Sequence, residues 1–80
     1  MVRIVTLLFF LFTLIMASVN INRANSAQLQ TLNGIGPTKA QEILKYRKSH
    51  GSFSSVDELV NVKGIGPKTL IKLKPHVTIR

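Results

Sequence analysis

The chain has 80 residues, with 11 Lys and Arg against 3 Asp and Glu, and no cysteine. That length allows one small domain, and the missing thiols exclude a disulfide scaffold, a thiolate metal site and a lipid-modified cysteine anchor. A formal charge of +8 attracts polyanions over long range; read alone, it fits nucleic acid, anionic lipid headgroups or a solvated surface.

Residues 1–17 read as a signal segment. Arg3 precedes an apolar run from Ile4 to Met16 that only Thr6 and Thr13 interrupt. The run has the length of a signal-peptide core and falls short of the ~20 residues a spanning helix needs. Two readings stand. In one, a signal peptide is cleaved after Ala17 and the product is periplasmic or secreted. In the other, an uncleaved inner-membrane anchor reaches to about Val19 and holds the domain outside the cytoplasm.

Removing 17 of the 80 residues leaves 63, and losing Arg3 leaves ten basic residues against Glu42, Asp57 and Glu58. Residues 18–25 form a lead-in. Asn25 and Gln28 have capping-box spacing, so a first helix starts after Asn25, buries Leu29 and Leu32, and stops at Gly34. Pro37 opens a second helix, because a proline at the first position sacrifices no internal hydrogen bond. Ala40, Ile43, Leu44 and the stem of Arg47 share one face of it, and Gly51 ends it. Ser55 and Glu58 repeat the capping-box spacing and open a third helix that buries Leu59 and Val62. Gly64 ends that helix, Pro67 opens a fourth with Leu70 and Leu73 inward, and Pro75 closes it. The expectation is an all-α domain of four short helices over residues 26–75, without strands, followed by an extended C-terminal tail over residues 76–80.

The sequence "GIGP" occurs at Gly34 and again at Gly64. Around it Leu29 and Leu59, Gly34 and Gly64, Ile35 and Ile65, Gly36 and Gly66, and Pro37 and Pro67 agree in type. Leu32 and Val62, and Ile43 and Leu73, agree in character. One such loop fits a plain helix–helix turn; a whole frame repeated at 30 positions reads as an internal duplication. In each copy the first glycine allows a tight reversal, and the isoleucine points back between two helices. The second glycine leaves the backbone open to a ligand, and the proline starts a helix whose first N–H groups have no internal partners. The product is a main-chain phosphate site at the positive end of a helix. Thr38, Lys39, Lys63, Lys68 and Thr69 add hydroxyls and cations beside it. Contacts of this kind position a nucleic acid without reading its sequence. A duplicated pair related by an approximate dyad suits the two strands of a duplex.

These residues resemble the paired helix-hairpin-helix motifs of an (HhH)2 domain. "VNINRA" before them and "YRKSHGSFSSVDEL" between them resemble the competence protein ComEA family, over Val19 to Thr78. The resemblance implies a non-sequence-specific binder of double-stranded DNA that works outside the inner membrane in natural transformation. It would capture and retain incoming DNA beside the uptake machinery, in the short periplasmic form, without a cofactor or metal. It assigns amide contacts to Gly34, Ile35, Gly36, Gly64, Ile65 and Gly66, and side-chain contacts to Thr38, Lys39, Lys68 and Thr69; Lys63 stands just before the second hairpin. Asn33 stands where the family commonly has proline. Ala27 and Gln28 replace an acidic pair, and Lys74 takes the place that Leu44 holds in the first repeat. With Lys63 and Lys68 beside it, the second hairpin is expected to bind more strongly.

Other residues read more plainly. His50 and His76 lack companions for a metal site and read as surface residues. Tyr46 and Phe53 read as packing rather than as base-stacking platforms. Asp57 and Glu58 are neighbours that share no helix face, so they make a poor acid/base pair and read as capping; no nucleophile stands beside a base, and no enzyme activity is expected. Two further functions share the motif: an accessory module of a DNA-repair protein or nuclease, and an assembly protein that binds a protein partner at a membrane.

Overall fold

The computed structural model describes residues 18–79, so the leader reading of residues 1–17 lies outside the described residues, as does Arg80 at the end of the tail. Its elements are β1 (Val19–Asn20), α1 (Ser26–Leu29), α2 (Pro37–His50), a first 3₁₀ helix (Val56–Asn61), α3 (Pro67–Leu73), a second 3₁₀ helix (Lys74–His76) and β2 (Val77–Thr78). The helical expectation holds. Each repeat contributes a short first helix that packs on a longer second one: α1 on α2, and the first 3₁₀ helix on α3.

The first capping box forms as expected. Asn25 accepts from the Gln28 amide at 2.8 Å and the Gln28 side chain accepts from the Asn25 amide at 2.9 Å. The second does not form. Ser55 makes no side-chain cap: the Glu58 amide it would accept from donates to the Ser55 carbonyl at 3.2 Å, and the Glu58 carboxylate accepts from the Ser54 amide at 2.8 Å and the Tyr46 hydroxyl at 2.9 Å. The segment that follows, with β-branched Val56 and Val60, winds as a 3₁₀ helix rather than an α-helix. Asp57 is paired with Lys74 at 3.0 Å on the surface, whereas Glu58 does cap a backbone amide at the helix start, that of Ser54 rather than of Ser55.

The strand-free expectation is corrected. Val19–Asn20 pairs in parallel with Val77–Thr78, and the Ile21 amide continues the pairing to the Thr78 carbonyl at 3.0 Å. Val77 is buried and Val19 and Ile79 lie half-buried against the core. Apolar contact therefore holds the two ends of the domain together, and the lead-in and the tail each contribute a strand. Two further ties fix the lead-in. Asn22 exchanges hydrogen bonds with the backbone of Phe53, accepting from its amide at 2.6 Å and donating to its carbonyl at 3.1 Å. Arg47 donates from one guanidinium nitrogen to the carbonyls of Ile21 and Ala24, both at 2.9 Å.

The core lies between the two repeats and alternates between them. Leu29, Ile43, Leu59 and Leu73 are fully buried, with Ile21 from the lead-in beside them. Among the described residues no charged or polar side chain is buried, as expected where a small apolar core must carry a fold without disulfides.

Candidate functional site

The two hairpins have one hydrogen-bond skeleton, offset by 30 positions. In the first, Leu32 donates to Leu29, Ile35 to Leu32 and Ala40 to Gly36, at 3.1, 3.0 and 3.0 Å. In the second, Val62 donates to Leu59, Ile65 to Val62 and Leu70 to Gly66, at 3.0, 3.0 and 2.9 Å. Gly34 and Gly64 turn at φ +88° and +93°, where a side chain is strained. Ile35 and Ile65, each 3% exposed, are the pins that hold each loop to the core.

Gly36 and Gly66 are extended N-caps, at φ −93° and −96°, and an added Cβ at either would meet no atom within 4 Å. Their glycine identity is thus not demanded by the fold, and the space above them is open. The amides of Gly34, Gly36, Thr38 and Lys39 have no partner among the described residues, and neither do those of Gly64, Gly66, Lys68 and Thr69. Two outward sets of main-chain donors result, each beside the first turn of a helix that begins with proline.

The side chains around them are unequal. Thr38, Lys63 and Lys68 are exposed, and Thr69 is half-buried. Lys39 is half-buried, lies across the second hairpin with Cγ 3.5 Å from where a Gly64 Cβ would stand, and brings Nζ to 3.4 Å from the Gly34 carbonyl. Lys39 thus belongs to both hairpins, which spacing alone did not indicate. Lys39, Lys63 and Lys68 have no carboxylate within salt-bridge distance among the described residues.

The remaining polar residues form a separate structural group. Tyr46 stacks between His50 and Phe53, with centroid distances of 4.1 and 5.2 Å and interplanar angles of 17°. Phe53 is buried. This is packing, as expected, and no base-stacking face. The Ser54 amide, and after it the Tyr46 hydroxyl, hold the Glu58 carboxyl below its ordinary range, and the bond to Glu58 raises Tyr46. No cluster of three His, Asp or Glu suited to a metal occurs among the described residues.

Comparison with known proteins agrees with this geometry. The family model described as "helix-hairpin-helix motif" matches residues 16–78. The chain is 41% identical over 64 residues to ComE operon protein 1 of Bacillus subtilis, a match covering 80% of this chain and 31% of that protein. It is 42% identical over 60 residues to an uncharacterized protein of Haemophilus influenzae, covering 74% of this chain and 54% of that one. Endonuclease/exonuclease/phosphatase family domain-containing protein 1 of Mus musculus is 41% identical over 59 residues, 74% of this chain and 10% of its own length. The chain thus spans between about a tenth and about half of these relatives. With the matched residues covering both hairpins, the lead-in and the closing strand, the chain belongs to the helix-hairpin-helix family.

Proposed function

We propose that this chain is a DNA-binding module, acting outside the cytoplasm, that grips duplex DNA by its phosphates and captures and retains it during natural transformation. The observation that carries the reading is the pair of outward amide sets built on one repeated skeleton, each with unpaired cations beside it. Main-chain amides at a helix start bind phosphate oxygens; two such sets suit two strands. Gly34, Gly36, Gly64 and Gly66 offer free amides, and Thr38, Lys39, Lys63, Lys68 and Thr69 the flanking contacts; Ile35 and Ile65, expected to offer amides as well, spend them on Leu32 and Val62 and hold each loop in shape instead. The module needs no cofactor and catalyses no reaction. Similarity to ComE operon protein 1 supports the competence setting, with uptake machinery at the inner membrane as the neighbouring partner. The apolar leader supports export.

The test is a titration of residues 18–80, which contain every core residue found among the described ones, with two unrelated mixed-sequence duplexes at several salt concentrations. If about four phosphates are engaged, log K falls with log salt at a slope of roughly −3 to −4, and the two duplexes bind alike. No binding at low salt, or strong dependence on a single base pair, defeats the reading. The resemblance to a segment of the endonuclease/exonuclease/phosphatase family protein favours a second reading as an accessory module of a larger DNA-processing protein. Fractionation separates the two: accumulation in the cytoplasm supports the second.

A further inference from the structure

We infer that Lys39 lies over the groove between the two gripped strands and makes binding sensitive to groove width, a role that rests on the duplex-binding reading. The repeat is unsymmetrical here. The position equivalent to Lys39 is Thr69, and no atom from Thr69 or any other non-adjacent residue comes within 4 Å of the Cβ position at Gly34. One side chain, supplied by the first repeat, therefore crosses the gap between the hairpins.

Its reach bounds their separation. Nζ is 3.4 Å from the Gly34 carbonyl and Cγ is 3.5 Å from the Gly64 Cβ position. With three side-chain bonds between those two atoms, the hairpin turns stand within roughly 11 Å of one another. The clear width between phosphate rows is ~6 Å across the minor groove and ~12 Å across the major groove, before the phosphates' own radii are added. Donor sets this close fit rows that flank the minor groove. The ammonium between them then faces the groove floor, with one of its three hydrogens on the Gly34 carbonyl and two left for a ligand. Its stem is already held against Gly64, so less side-chain freedom is lost on binding than at exposed Lys63 or Lys68.

Backbone amides touch only the phosphate rows and do not sense the potential on the groove floor between them. A cation fixed over the minor groove responds to its potential, which is most negative where the groove is narrow, as in A-tracts. The chain should therefore ignore base order in mixed sequence and still prefer narrow-groove duplexes.

The experiment compares an A-tract duplex with a G·C-rich duplex of equal length at one salt concentration. It uses residues 18–80 as the parent and as K39M, K68M and T69A, with thermal melts confirming that each is folded. K39M keeps the stem over Gly64 and removes the charge. The parent should bind the A-tract roughly three- to tenfold more tightly, K39M should bind the two alike, and T69A, which removes a flanking phosphate contact, should keep the preference at lower affinity for both. K68M should lose affinity for both duplexes equally, as a phosphate contact does. A parent without preference, or K39M weakened equally on both duplexes with its preference intact, overturns the assignment while leaving duplex binding standing. Failure of the parent to bind either duplex sinks the underlying DNA-binding reading instead.

Discussion

At Gly64 the backbone turns through φ +93°, with the stem of Lys39 packed over it, whereas at Gly66 it is extended and nothing lies within 4 Å of a Cβ. The two glycines of one motif therefore answer to different demands. Gly64→Ala forces a side chain into a left-handed conformation and should cost about 1–2 kcal/mol, read as a melting-temperature drop of several degrees. Gly66→Val should melt within a few degrees of the parent and bind duplex DNA at least about tenfold more weakly, because its side chain fills the space a phosphate would occupy (one lost charge-assisted contact is of this order). A Gly66→Val protein that binds normally would show that the loop is only a turn. Glu58 gives a residue-scale pH prediction. Its carboxylate is favoured in the fold by the Ser54 amide and then by the Tyr46 hydroxyl. A group lowered on folding contributes stability above its unfolded value, near 4.3 for a glutamate. That contribution is lost as pH falls through the lower folded value. Melts at pH 7 and pH 3 should show a smaller acid loss for Glu58→Gln than for the parent.

Among the elements, those set by local chemistry were legible in the sequence. The Asn25–Gln28 box opens α1, Pro37 opens α2, Gly51 ends it and Pro67 opens α3, each through a rule that involves only near neighbours. The elements that escaped depend on partners far along the chain. Ser55 and Glu58 have the spacing of a cap, but the Glu58 amide bonds the Ser55 carbonyl, and its carboxylate is shared between the Ser54 amide and Tyr46, 12 positions earlier. Val77 and Thr78 become a strand only because Val19 and Asn20 lie beside them. The candidate site divides in the same way: the glycines, isoleucines and prolines were readable from the repeat, and the crossing of Lys39 was not, because it depends on how the two repeats pack. Arg47 shows how a helix carries a distant segment. Its guanidinium joins α2 to the lead-in through two carbonyls, each a charge-assisted bond. Arg47→Met keeps the apolar stem and should lower stability by about 2 kcal/mol with little change in helical circular dichroism. A destabilisation near zero would mean that solvent replaces those bonds at no cost.

For the whole molecule, the lead-in and tail are as much part of the domain as the helices. The buried side chains run from Ile21 to Val77, so the core needs nearly every described segment. Val77→Ala should cost about 1–2 kcal/mol through lost burial without touching either hairpin. Any fall in DNA affinity should then follow the fraction unfolded and vanish at low temperature. An affinity loss that persists in the fully folded variant would tie the strand pair to the hairpins directly.

That parallel pair also sets the order of events as the protein is made. Val19 meets a residue near the opposite end of the domain, Val77, so their contact closes a loop spanning nearly all of it. Long closures of this kind are completed late, because the chain entropy they remove is recovered only when the remaining contacts are in place. A chain emerging N-terminus first has the residues of its first hairpin early but no partner for Val19 until Val77 has followed. Until Val77 and Thr78 are in place the domain lacks the contact that joins its two ends, and that pair completes the fold.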